Sequence, residues 1–166
     1  MQTHMQRHRF STAFGDCAVA WDQRGLLSFS LAGGDLPEPA ETLPPSWLTA
    51  LIEAVQRHLG GEFQTFADAP YVFSIVTDFE RRVYVAALAI VPGVTRSYGE
   101  LATTLGLPAG SARAVAAALG ANPWPLLVTC HRIVGADGGM TGFSGPGGIR
   151  TKTRLLALEG ALLLSE

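Results

Sequence analysis

Cysteine is scarce in this chain, with only Cys17 and Cys130 among 166 residues. Two thiols are too few for the disulfide framework of a small secreted domain, so a reducing cytoplasm is the expected compartment. No apolar run approaches the ~18 residues needed to span a membrane, and no membrane partner is expected. Met1 to Phe10 is polar and basic and lacks an apolar stretch, so it does not read as a secretory signal. Internal repeats and low-complexity tracts are missing as well. His4, His8, Cys17 and His58 do not fall into metal-ligand spacing, which removes a metal site from the expectations. Charge is low, with a net value of −2, and on its own this argues weakly against nucleic acid.

What is present allows a real core: 48% of the residues are hydrophobic. The charge is also uneven. Residues 1–90 hold 6 basic and 10 acidic side chains, a balance of −4, and residues 91–166 hold 6 and 4, a balance of +2. The second half could face phosphates, although on charge alone two ordinary solvated surfaces are the simpler account.

Phe10 to Ala20 and Leu26 to Leu31, separated by Asp22-Gln23-Arg24-Gly25, predict a β-hairpin. Gly33 to Pro45 reads as a loop. Ser46 is the expected cap of a helix running from Trp47 to about Leu59, with Leu48, Leu51, Ile52, Val55 and Leu59 on one face. Phe63 to Val76 reads as extended segments. From Asp78 the period becomes helical until Pro92-Gly93. Ser97 with Glu100 forms a capping-box pattern, the helix it starts ends near Leu105-Gly106, and Ser111 is the expected cap of an alanine-rich helix from Ala112 to Leu119. Two short helices around a glycine turn suggest helix-turn-helix, though such pairs also arise from packing alone. The expected fold is α+β. An N-terminal β-sheet and helix lobe, residues 1–77, precedes a mainly helical lobe, residues 78–166, that carries the helix-turn-helix.

The chemistry centres on Cys130. It follows a turn bounded by Pro123 and Pro125 and an apolar stretch, and it precedes His131 and Arg132. A thiol beside an imidazole can be held as the reactive thiolate, and the apolar run places it at the end of a buried strand-like segment. Cys17 has no such company and reads as packing. Arg132 reads as a structural salt-bridge residue.

Five motifs in order are then decisive. They are Gly93-Val94-Thr95-Arg96-Ser97-Tyr98-Gly99-Glu100-Leu101-Ala102, Arg113-Ala114-Val115, Asn122-Pro123, Cys130-His131-Arg132, and Gly147-Gly148 with Lys152 and Leu155-Leu156-Ala157-Leu158-Glu159-Gly160. Together they resemble the O6-alkylguanine-DNA alkyltransferases, the methylated-DNA–protein-cysteine methyltransferases, over about residues 79 to 160. The resemblance implies a single-turnover repair enzyme that moves an alkyl group from guanine O6 in double-stranded DNA to Cys130, acting as a monomer without a cofactor.

By the same resemblance His131 activates the thiol through a water, Glu159 orients the imidazole, Asn122 braces the turn, and Tyr98 serves the leaving guanine. Arg113 replaces the extruded nucleotide, flanked by Ala112 and Ala114 in the minor groove, and Thr95, Ser97 and Lys152 contact DNA, with Arg150 and Arg154 as further phosphate candidates. Pro125, Val134, Phe143 and Ser144 line the pocket. This chain departs from the family in Thr129, usually proline, in a loop from Phe143 to Gly148 about two residues longer than usual, and in Phe143, often tyrosine. A base-flipping lesion sensor that recruits other repair factors is the alternative. A Cys-His hydrolase or a helix-turn-helix regulator leaves Tyr98 and Arg113, or the buried thiol, unexplained.

Overall fold

The computed structural model describes residues 5–31, 43–108, 110–136 and 148–161. Strands β1 (Gln6–Thr12), β2 (Gly15–Asp22) and β3 (Gly25–Ser30) form an antiparallel sheet in that order. The expected hairpin is therefore corrected to a three-stranded meander, because a second turn splits its first span. Thr12 Oγ1 donates to the Gly15 carbonyl at 2.7 Å and accepts from Phe14 N at 3.0 Å. Gly15 has φ 103°, in the left-handed region where glycine is favoured. Cys17 to Asp22 are all buried in the central strand β2, so its sequence shows a continuous apolar run and hides the alternation of a half-exposed strand.

Helix α1 (Ser46–Leu59) buries Leu48, Leu51, Ile52, Val55 and Leu59, as their spacing predicts, and His58 with them. Its cap is Pro45, with Ser46 already helical, and no side chain caps it. The segment expected to be extended after Phe63 is mostly irregular, with a 3-10 turn at Phe73–Ile75. Its Tyr71 bridges to Leu26 at the sheet.

Helix α2 (Asp78–Leu88) starts from a capping box made by Thr77 and Glu80, a device worth about 1 kcal/mol. Helix α3 (Tyr98–Thr104) starts from the expected box of Ser97 and Glu100. Helix α4 (Ala112–Gly120) has no side-chain cap: Ser111 is in the helical region and its hydroxyl donates to the Pro108 carbonyl at 2.7 Å. Two-residue strands β4 (Arg96–Ser97) and β5 (Ile133–Val134) pair in parallel, and helix α5 (Gly148–Leu158) follows. Among the described residues no helix is long and apolar enough to cross a membrane.

One hydrophobic core runs from Phe10 in the sheet to Leu155 in α5. Trp124 is its largest fully buried side chain, edge-on to Tyr71, Phe73 and Tyr84. Its indole N–H donates to the Leu26 carbonyl at 3.1 Å, and Phe29 N donates to the Pro123 carbonyl at 2.9 Å. Replacing such a residue by alanine costs about 3–5 kcal/mol. The sheet is thus joined directly to the turn that precedes Cys130.

Candidate active site

Residues 124–129 are buried but do not form the expected strand. Val128 N donates to the Trp124 carbonyl at 2.9 Å, Pro125 bridges Val128, and between them the buried Leu126 has φ 81°. A branched non-glycine residue in this region stores about 1–3 kcal/mol, and it persists only where its surroundings fix it. A tight turn therefore leads into Cys130, which opens a 3-10 turn, Cys130–Arg132.

Asn122 stands at the centre of this turn. Its Oδ1 accepts from Trp124 N at 2.9 Å, and its Nδ2 donates to the Val128 carbonyl at 2.9 Å and to Cys130 Sγ at 3.3 Å. The thiol is 4% exposed. A donor on the sulfur favours the thiolate. Thr129 Oγ1 donates to the Ala87 carbonyl at 2.5 Å, and Arg132 Nη1 donates to the Ile90 carbonyl. The carbonyls at and just beyond the C-terminus of α2 thus anchor the turn on both sides of the cysteine.

Glu159, one residue past α5, is buried and takes donors from three residues in two segments. Arg132 Nε and Nη2 reach its two oxygens at 2.8 Å each. His131 Nε2 lies 3.1 and 3.0 Å from them, and His58 Nε2 lies 2.8 Å from Oε2. Burial alone would raise the Glu159 pKa, but hydrogen bonds from Arg132, His131 and His58 outweigh it and hold the carboxylate ionised. The His131 pKa is also lowered, but by the opposite balance. Burial, its largest influence, lowers its pKa against the pull of Glu159 and keeps the ring neutral. With Nε2–H donated to the carboxylate, the lone pair stands on Nδ1, which is buried without a partner among the described residues. Gly93 approaches from the Pro92-Gly93 turn: it has φ 89°, and a Cβ there would lie 3.3 Å from the Glu159 carbonyl.

The sequence model of the 6-O-methylguanine DNA methyltransferase DNA-binding domain matches residues 78–161. A methylated-DNA–protein-cysteine methyltransferase of Methanothermobacter thermautotrophicus is 33% identical over 89% of this chain and 81% of its own length. The chain belongs to the methylated-DNA–protein-cysteine methyltransferase family. A methyltransferase of that name from Mycobacterium tuberculosis is 53% identical over 50% of this chain and 48% of its own length. The crystal structure of Mycobacterium tuberculosis OGT in complex with DNA superposes with a TM-score of 0.76 at 33% identity, covering 93% of this chain and 92% of that one.

Of the methyltransferase residues expected from sequence, the structure brings Cys130, His131, Glu159 and Asn122 into one cluster. Arg132 is the salt-bridge residue anticipated. Pro125 is buried in the turn and Val134 in β5, where it pairs with Ser97. Tyr98 opens α3, half-buried, with Lys152 Nζ 5.8 Å from its ring centre. Lys152 is the clearest correction. Expected at DNA phosphates, it is fully buried and donates to the Ile133 carbonyl at 2.5 Å. Burial lowers its pKa, and electrostatic attraction to an ionised Cys130 opposes that shift.

Arg113 and Ala114 are exposed on α4, with Ala112 half-buried beside them. Thr95 is half-buried next to β4, and the Ser97 hydroxyl is taken up as the cap of α3, accepting from Glu100 N at 3.0 Å. Arg154 Cζ stacks 4.2 Å from the centre of the Phe14 ring, so it packs against the sheet-bearing part. Phe143 and Ser144 lie outside the described residues. The member of the cluster that sequence reasoning missed is His58. Its signal was available: it stands three residues after Val55, on the apolar face of α1.

Proposed function

We propose that this chain repairs DNA by direct reversal, taking the alkyl group from O6 of guanine onto Cys130 in a single turnover. One observation carries the reading. A buried thiol, held at 3.3 Å by Asn122, precedes a neutral imidazole whose far nitrogen is bonded to a buried carboxylate. That constellation lies within the stretch matched by the family's DNA-binding domain.

The chemistry follows from the geometry. O6 is hidden in the duplex, so the nucleotide must leave the stack at a cost of a few kcal/mol, and Arg113 on the exposed start of α4 is the residue to fill the gap. His131 takes the thiol proton at Nδ1, through a bridging water, while Glu159 stabilises the imidazolium that forms. The thiolate attacks the alkyl carbon, the carbon–O6 bond breaks, and its electron pair leaves on guanine. A proton delivered through Tyr98 neutralises that base. The charge of Lys152 lowers the cost of the thiolate. The product is a thioether, and no group among the described residues of the site reverses it.

Intact-mass measurement after mixing with O6-methylguanine duplex is the test. One methyl per chain, mapped to Cys130, is expected. Tight lesion binding without a mass gain would replace this reading by a lesion sensor, and catalytic product release by a hydrolase.

A further inference from the structure

Helix α1 contributes one polar side chain to the Glu159 cluster, across 101 residues of sequence. His58 and Glu159 both have fully buried side chains, and Nε2 lies 2.8 Å from Oε2. At the other end of the ring, Gln64 N donates to Nδ1 at 3.0 Å. A nitrogen that accepts from a backbone N–H carries no proton, so the proton of His58 is on Nε2 and the ring is a neutral donor to the carboxylate. Phe63 and Phe66 flank the ring at 5.3 and 5.4 Å between centres. Both nitrogens are used and the ring plane is confined.

We propose that His58 is a positioning residue of the alkyl-transfer site: from α1 it holds the Glu159 carboxylate in the orientation that keeps the His131 proton on Nε2 and its lone pair on Nδ1 for the thiol. The proposal rests on the reading of Cys130 as alkyl acceptor and adds a residue from outside the matched stretch 78–161.

Arg132 already balances the charge of Glu159, so the site does not need His58 for neutrality. Arg132 is itself tied to the Ile90 carbonyl, so what His58 adds is a second, independent anchor on the same carboxylate, from a different element. His58 ties the same oxygen to a helix anchored in the core, and as a neutral donor it does so without adding charge. Keeping a polar ring on the apolar face of α1 is costly unless both nitrogens are bonded, and here both are.

The groups that set the local electrostatics are few. The carboxylate is faced by His58 from α1 and by His131 and Arg132 from the 3-10 turn. The sulfur is faced by Asn122 from its turn and feels Lys152 from α5 and Tyr84 from α2. Removing His58 leaves every charge in place and takes away one hydrogen bond to a charged acceptor.

The test uses the full chain and two substitutions. Single-turnover transfer from free O6-benzylguanine and alkylation of Cys130 by iodoacetamide, located by peptide mass, are each followed against pH. In His58→Phe the pH midpoint of both reactions should move upward, with a loss of about ten-fold at neutral pH, the scale of one charge-assisted hydrogen bond. In His58→Gln, whose amide can place an N–H near the position of Nε2, the midpoint should stay at the wild-type value. An unmoved or lowered midpoint in His58→Phe, or a His58→Gln midpoint shifted as far as that of His58→Phe, overturns the proposal even if both variants melt earlier.

Should His58→Phe not fold, nitrogen-15 spectra of histidine in the wild-type protein still decide. A proton on Nε2 and a bare Nδ1 are expected for His58, and the opposite tautomer overturns the proposal. Failure of wild-type transfer from O6-methylguanine DNA to Cys130 would sink the repair function instead. The iodoacetamide midpoint would still report on His58.

Discussion

Cys17 and Cys130 are the same chemical group in opposite settings. Cys17 lies at 0% exposure inside the sheet, with Thr12 Oγ1 at 3.8 Å and the Gly15 carbonyl at 3.9 Å. Cys130 has Asn122 on its sulfur and His131 beside it. Cys130→Ser should bind lesion DNA and accept no alkyl group, while Cys17→Ser should transfer at the wild-type rate; methyl on Cys17 in a peptide map would contradict this. Lys152 gives a second prediction at this scale. Because its charge acts on the Cys130 thiolate and it is shut away from solvent, Lys152→Met should slow transfer about ten-fold at neutral pH, one pH unit of thiol ionisation. It should leave the salt dependence of DNA binding unchanged, since no phosphate contact is lost. A flatter salt slope would return Lys152 to the DNA surface. The sequence offered the right residue here and the wrong neighbour. A lysine within a helix beside two arginines has the local pattern of a solvated or phosphate-binding face, and only the packing of α5 on β5 turns it inward.

At the scale of elements, what was legible followed from local physics. The spacing of Leu48, Leu51, Ile52 and Val55 marked α1, and Ser97 with Glu100 marked α3, because periodicity and capping are written within a few residues. The turn before Cys130 was not legible. Its path depends on Leu126 accepting φ 81° under the constraint of Asn122 and the core, and nothing in a run of apolar residues announces that. Thr129 sits in the same turn with φ −78°, which proline can adopt, and its hydroxyl holds the Ala87 carbonyl. Thr129→Pro should gain about 0.4–1 kcal/mol from the unfolded chain and lose a hydrogen bond of about 0.5–1.5 kcal/mol, leaving stability nearly unchanged. Stiffening the approach should lower the ratio of benzyl to methyl transfer rates; a ratio that holds in a folded variant would move the determinant of substrate size elsewhere. For α4, Arg113→Ala should slow repair in duplex DNA far more than transfer from free O6-benzylguanine, which needs no extrusion. Equal losses on both substrates would place Arg113 in the chemistry.

For the whole molecule, the buried cluster links stability to pH. His131 binds a proton less readily in the folded chain than in the unfolded one, chiefly because it is buried, and its pKa lies below the ordinary 6.5. Glu159 lies below its ordinary 4.5, since its donors outweigh burial. In both cases the unfolded chain is the better proton acceptor. This contribution is therefore complete above about pH 6.5 and is lost as pH falls, first through His131 and then, below about 4.5, through Glu159. Thermal unfolding between pH 8 and 4 should show a falling melting temperature, and His131→Asn should flatten the upper part of that fall. An unchanged profile in the variant would assign the acid sensitivity to other groups. The α+β class and the family were legible from five ordered motifs, whereas the carboxylate cluster was legible only in part, because His58 joins it through tertiary packing alone.

The cluster around Glu159 has one more consequence, for a protein that is spent by each reaction. Its donors come from α1 and from the turn at 130–132, and the acceptor stands at the end of α5, so the three meet only when the chain is fully folded. A copy that has opened α1 or released α5 loses the relay and is left with an ordinary, mostly protonated thiol. Damage to the fold thus disarms the nucleophile and does not bare a reactive one. Unfolded molecules would then be poor scavengers of stray electrophiles, and the single use of each chain would be kept for copies able to grip DNA.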